Sequence, residues 1–167
     1  PPPRPTLEWN RRQRQMCIRD RYRVDPASLA FEITETTAIA NIPAAQRVIN
    51  ELTALGCHFS LDDFGTGFSS FSHLKHLNVD CVKIDGLFVR GKTKDPTDHA
   101  MVISMNDIAH FLGQKTVAEY VETADSLKLL AECGVDFVQG YYISQPLPES
   151  VARCEKTEDD LNPVVMA

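Results

Sequence analysis

Two aspartates stand side by side in "FSLDDFGTGFSS", residues 59–70, between an apolar alternating run and a Gly-Thr-Gly turn. Within a strand, neighbouring side chains point to opposite faces, so one of Asp62 and Asp63 would be forced inward; past a strand's end both can lean toward one point. Turn and cap chemistry explains a single Asp there. A pair repels itself unless something cationic sits between the two carboxylates. Polar residues, most of them acids, recur in the same way elsewhere: Glu32 and Glu35 in "FEITET", Lys83 and Asp85 in "VKID", Glu119 and Glu122 in "AEYVE", then Gln139. All-oxygen donors of this kind suit Mg²⁺ or Mn²⁺ better than zinc. With one lysine among them and no Ser-His or Cys-His pair in evidence, they point to metal-assisted hydrolysis rather than covalent catalysis. A phosphodiester is the natural substrate. Two ions about 3.5–4 Å apart can clamp its oxygens and activate a bridging water. Lys83 is either a surface lysine or a group that orients that water, and the alternation in "VKID" puts it on the same side as Asp85.

The elements that must position these residues follow from periodicity and punctuation. Strands are predicted at 29–33, 57–61, 81–84 and 115–119, with a fifth beginning at 137–139. Helices are predicted at 43–55, 69–77, 98–112 and 124–133, three of them closed by Gly56, Gly113 and Gly134, with Asp95-Pro96 as a start signal. Alternating strands and helices mean a parallel α/β sheet. In such a sheet every strand's C-terminal end lies on one edge, where sites are built, and each predicted strand delivers its polar residue there.

Bulk properties narrow the class. The 167 residues, 43% hydrophobic, suit one globular domain, and no apolar run approaches the roughly 18 residues that span a bilayer. Five cysteines without a C-x-x-C pair read as reduced thiols, which favours a cytoplasmic setting. His73 and His76 read as a solvated pair. Residues 1–23 carry seven arginines and two acids, +5; the remainder carries ten basic and 21 acidic residues, −11, which together give the net −6. An arginine-rich arm can signal nucleic-acid binding, but this one is Pro-rich at its start and lacks apolar periodicity. Its "MCIRDR" resembles translated adapter sequence. Residues 1–21 are therefore expected to be a non-native or disordered leader, and 149–167 a polar tail.

Together "FEITET", "SLDDFGTGFSSFSHL", "VKIDGLFV", "TVAEYVET" and "VQGYYISQPLP" resemble, in order and spacing, successive motifs of the EAL domain over about residues 24–148. Bacterial phosphodiesterases of that family open cyclic di-GMP to linear pGpG. The resemblance implies a TIM-like (β/α) barrel, of which about five of eight parallel strands are expected here, and a two-metal site for Mg²⁺ or Mn²⁺. It implies Glu32 as a ligand of the first metal, Asp62 as the bridge, Asp63 on the second metal and Lys83 on the nucleophilic water. Glu119 would be a ligand or general base, with Glu122 and Gln139 in support, and Glu35 would hold the 62–70 loop. Calcium, which relaxes the tight geometry, would inhibit. The implied partners are cyclic di-GMP, sensory or GGDEF-type domains in a longer chain open to membrane anchoring, and a second copy of the chain, but no nucleic-acid polymer.

Two departures qualify the resemblance. The Glu-Ala-Leu segment and a following Asn, both ligands of the first metal in the family, do not occur in these residues, so residues 22–148 are expected to be the C-terminal part of a domain and inactive alone. Tyr120 stands where the family usually has Gly. Two rival readings stay open: a module that binds cyclic di-GMP or a protein without hydrolysis, and a doubly wound receiver-like domain holding one Mg²⁺ through Asp62, Asp63 and Lys83.

Overall fold

A computed structural model describes residues 24–66, 71–90 and 95–146. Five strands, β1 (Ala30–Thr34), β2 (His58–Phe64), β3 (Cys81–Ile84), β4 (Lys115–Ala118) and β5 (Phe137–Val138), form one sheet in the order of the chain. Every neighbouring pair is parallel. The helices are α1 (Glu35–Ala40), α2 (Ile42–Thr53), α3 (Pro96–Phe111) and α4 (Ala124–Glu132). Each new strand adds to the same edge, as in the wall of a (β/α) barrel. A doubly wound sheet would reverse its strand order partway, so the receiver-like reading fails on topology.

Register explains why polar residues converge. Side chains opposite one another in a parallel ladder share a face, and every second residue returns to it. Glu32 pairs with Ser60 and Ser60 with Cys81, while Lys83 pairs with Val117. Glu32, Ser60, Asp62, Cys81 and Lys83 therefore lie on one face, which Glu119 would join by continuing β4. The other face carries Phe59, Leu61, Val82, Ile84, Ala118 and Val138, all buried. It forms the core beneath the helices, with Phe31 and Phe59 stacked at 5.5 Å between centroids. Burial on both faces is the usual state of a central parallel strand, and β3 and β4 show it.

The structure departs from the sequence expectations in four places. The second strand runs on through both aspartates to Phe64, with its register to β3 shifting between Leu61 and Phe64. The fourth ends at Ala118, which leaves Glu119 just beyond it. Helix α1 was not anticipated: six residues with two β-branched threonines carry no readable period. It stops at Asn41, whose side chain accepts from Ala44 N–H and caps α2. In place of a helix over 69–77 there is a single 3₁₀ turn at Leu74–His76; residues 69 and 70 lie outside the described residues, as do the leader and tail expectations. Asp95 caps α3 through Thr97 N–H. Cys57, Cys81 and Cys133 are free thiols. Among the described residues, no helix is long and apolar enough to cross a membrane.

Candidate metal centre

Lys83 rises from the middle of β3, its side chain only 9% exposed, into a ring of carboxylates. Its Nζ lies 2.7 Å from Glu119 Oε1, 3.0 Å from Asp62 Oδ1 and 3.1 Å from Glu32 Oε1. Burial pulls the lysine pKa down, but hydrogen bonding to Glu119, Asp62 and Glu32 outweighs it and holds the pKa above the usual lysine value. Lys83 is a fixed ammonium across the neutral range.

Asp63 belongs by strand alternation to the opposite face. Its backbone adopts φ +56°, the left-handed region that side chains rarely enter, and the register shift falls at the same place. The two irregularities turn Asp63 back toward Asp62. Asp62, Asp63 and Glu119 each then offer a carboxylate oxygen, all within 4.8 Å of one another. Burial first, then the Asp62 and Asp85 charges, push the Asp63 carboxyl pKa up. Glu119 is also raised, by burial foremost and by Asp62 and Asp63, against the lowering pull of Lys83. The adjacent pair of acids is thus aimed at one point by a strained backbone rather than by a strand end.

The turn after Asp63 is fastened from below. Glu35, 2% exposed at the start of α1, accepts a hydrogen bond from Gly65 N–H at 3.0 Å. Gly65 has φ +99°, and a Cβ there would come within 2.7 Å of the Phe88 ring and 2.9 Å of Met105 Sδ. Only glycine fits this crossing.

These residues fit a divalent cation. Four carboxylates (Glu32, Asp62, Asp63, Glu119) against one ammonium leave a local charge of 1 − 4 = −3. Asp62 Oδ1 is buried, 3.0 Å from Lys83 Nζ. Oxygens on opposite sides of Mg²⁺ stand about 4.2 Å apart, which falls within the 4.8 Å limit on the separation of the three donors. Glu32, its side chain 52% exposed, reaches the cluster through Lys83 and lies outside the three-oxygen group.

Glu122 and Gln139 are exposed and stand apart from Lys83. They line a cavity of about 550 Å³ with Arg90, Tyr120, Tyr141 and Glu119. Glu122 approaches Arg90 at 3.9 Å. Gln139 contributes through its backbone, accepting from Val121 N–H and donating to Ala118 C=O. Asp85 caps its own 3₁₀ turn through Leu87 N–H. Sequence reasoning did not single out Arg90, which in the sequence is only the first of three cations after "DGLFV", with Lys92 and Lys94 close behind.

Comparison with known proteins bears on the family and the fold. Residues 8–146 match the sequence model of the EAL domain, a match that begins within the arginine-rich segment. The cyclic di-GMP phosphodiesterase PdeB of Shewanella oneidensis is 43% identical over 133 residues, covering 80% of this chain and 15% of PdeB. The bifunctional diguanylate cyclase/cyclic di-GMP phosphodiesterase MucR of Pseudomonas aeruginosa is 36% identical over 128 residues, 77% of this chain and 19% of MucR. The chain thus spans less than a fifth of these relatives. Among solved structures, the PaMucR phosphodiesterase–c-di-GMP complex superimposes with a TM-score of 0.79 at 32% identity, covering 87% of this chain and 58% of that one. The manganese/cy-diGMP complex of Klebsiella pneumoniae BlrP1 gives 0.74 at 30% identity, covering 80% and 34%. A parallel (β/α) sheet with carboxylates gathered at its strand ends, five ordered motifs and a match over most of the sequence lead to one conclusion: the chain belongs to the EAL domain family.

Proposed function

We propose that this chain contributes to metal-dependent hydrolysis of cyclic di-GMP to linear pGpG, with Asp62, Asp63 and Glu119 holding Mg²⁺ or Mn²⁺ and Glu32 completing the acidic ring. The observation that carries the reading is the single buried ammonium of Lys83 among four carboxylates, a charge imbalance that a divalent cation would correct. A bound divalent ion supplies Lewis acidity and lowers the pKa of water.

The residues themselves divide the remaining work. Lys83, held as an ammonium, cannot accept a proton; it donates to the attacking water or to a phosphoryl oxygen as charge develops there. Glu119 has two oxygens, so one could face the metal while the other takes the water proton. The water oxygen bonds to phosphorus, the P–O3′ bond breaks, and the proton ends on the 3′ oxygen. Glu35 keeps the turn after Asp63 in place through Gly65. Glu122 and Gln139 shape the adjoining cavity.

The other components follow from the relatives' names. BlrP1 was crystallised with cy-diGMP and manganese or calcium, which supports a divalent requirement. MucR joins a diguanylate cyclase to its phosphodiesterase, which supports a GGDEF-type or sensory neighbour. A homodimer and a cytoplasmic location complete the proposal. The test is chromatographic detection of pGpG from cyclic di-GMP with Mg²⁺ or Mn²⁺, against an EDTA control, by this sequence extended to the complete domain. Metal-dependent binding without turnover would transfer the reading to a non-catalytic binding module. The absence of both binding and turnover would overturn it.

A further inference from the structure

The residue after Glu119 is in an unusual state. Tyr120 has φ +56°, a conformation a side chain enters at a cost of about 1 kcal/mol or more, and the residue is still 45% exposed. Strain at an exposed aromatic is unexpected unless the ring is being held in place. Two features hold it. The ring lies against Gly86, where an added Cβ would come within 2.3 Å of Tyr120 Cδ2. Arg90 sits over the ring with Cζ 3.6 Å from its centroid, while its Nε faces Glu122 at 3.9 Å. Arg90 is itself placed by the 3₁₀ turn at Gly86–Phe88, donating its backbone N–H to Gly86 C=O at 2.7 Å.

The stacked pair forms part of the wall of the 550 Å³ cavity, which Glu119 also lines, so the cavity opens onto the metal centre. A planar guanidinium on an exposed phenol, beside acids that would hold a metal, presents a flat, polarisable surface next to a phosphate-handling group. We infer that the Arg90–Tyr120 stack is a platform for a purine base of the substrate, which positions the attached phosphodiester at Asp62, Asp63 and Glu119. The identity of the ligand rests on the proposed phosphodiesterase reading; the platform itself rests on the geometry of the stack.

Binding measurements on the full chain separate the two. Cyclic di-GMP is titrated in the presence of Ca²⁺, and GMP is compared with ribose 5-phosphate, which has the sugar and phosphate but no base. Wild type should bind GMP more tightly than ribose 5-phosphate. Tyr120→Gly should remove that preference and weaken cyclic di-GMP about tenfold, because Arg90 loses the ring that holds its guanidinium flat for the base. Tyr120→Phe, which keeps the ring, should stay within about twofold of wild type. Glycine suits φ +56°, so the fold should survive; Tyr120→Asn, also tolerated there, gives a second ring-free variant with the same expected loss. A preference for GMP that is absent from wild type, or that persists without the ring, overturns the platform. Equal binding of cyclic di-GMP by wild type and Tyr120→Gly overturns it too, and leaves the phosphodiesterase reading standing. Ring-dependent binding of GMP with no binding of cyclic di-GMP keeps the platform and overturns the substrate.

Discussion

Replacing Asp62 by Asn keeps the shape of the side chain and removes one of four negative charges around Lys83. If Asp62 ligates metal, Mn²⁺ affinity measured by titration calorimetry should fall at least about tenfold. In a chain extended to the complete domain, metal-dependent turnover should fall about a hundredfold or more, because a ligand shared by two ions would be lost. Metal-free stability should change by less than about 1 kcal/mol, since a repulsive charge and a partner of Lys83 disappear together. Unchanged Mn²⁺ affinity would remove Asp62 from the ligand set. Glu35 acts one step further out. Glu35→Ala leaves Gly65 N–H without this buried acceptor, at a cost of about 1–3 kcal/mol, and frees the turn that aims Asp63. Stability should drop and Mn²⁺ binding should weaken, while Glu35→Gln, which retains an acceptor, should recover most of both. An alanine variant with wild-type metal affinity would confine Glu35 to folding. The residue types were readable in the sequence, but the aiming of Asp63 was not. A left-handed backbone at a non-glycine residue leaves no signature in composition or period.

Strand and helix placement came through from alternation and glycine stops, because β3 and the ends of α3 and α4 obey local rules. Long-range polar ties escaped that reading. Asp136, between α4 and β5, accepts from Lys115 Nζ at 2.6 Å and Thr116 N–H at 2.9 Å, and pairs with His110 Nε2 at 2.6 Å. Beside it, Asn106 accepts from Thr116 Oγ1 and donates to Cys133 C=O. One acid thus fastens α3, β4 and the α4–β5 turn at the sheet end remote from the metal centre, through partners 20 to 26 residues away that no window of sequence displays. Burial opposes its ionisation, but the bonds from Lys115, His110 and Thr116 outweigh it and hold its pKa at about 2. A carboxyl pKa depressed from 3.8 to about 2 contributes about 2 kcal/mol, present above pH 3.8 and lost as pH falls toward 2. Asp136→Asn should therefore lower the urea unfolding free energy by about 2 kcal/mol at pH 7 and by much less near pH 2.5. A deficit that does not shrink with acid would assign the loss to packing rather than to charge.

The chain as a whole carries −6, and the carboxylate ring concentrates a surplus of −3 within a few ångströms. That concentration opposes folding in the absence of metal, because the ring assembles only when β1, β2, β3 and the end of β4 come together. Metal binding and folding are therefore linked: an ion that binds only the assembled ring stabilises the folded state by about 2.7 kcal/mol at a hundred times its Kd. For a chain of this size such a gain raises Tm by roughly 5–10 °C. Thermal melts in EDTA should shift upward on adding millimolar Mg²⁺ or Mn²⁺. Sodium chloride at equal ionic strength should give much less, since screening acts on the whole surface and a ligated ion acts on one ring. Asp62→Asn should abolish most of the divalent shift while leaving the response to sodium chloride intact. If both cations raised Tm equally, or if the Asn variant kept the full divalent shift, the ring would be an acidic surface feature and Lys83 its only counterion.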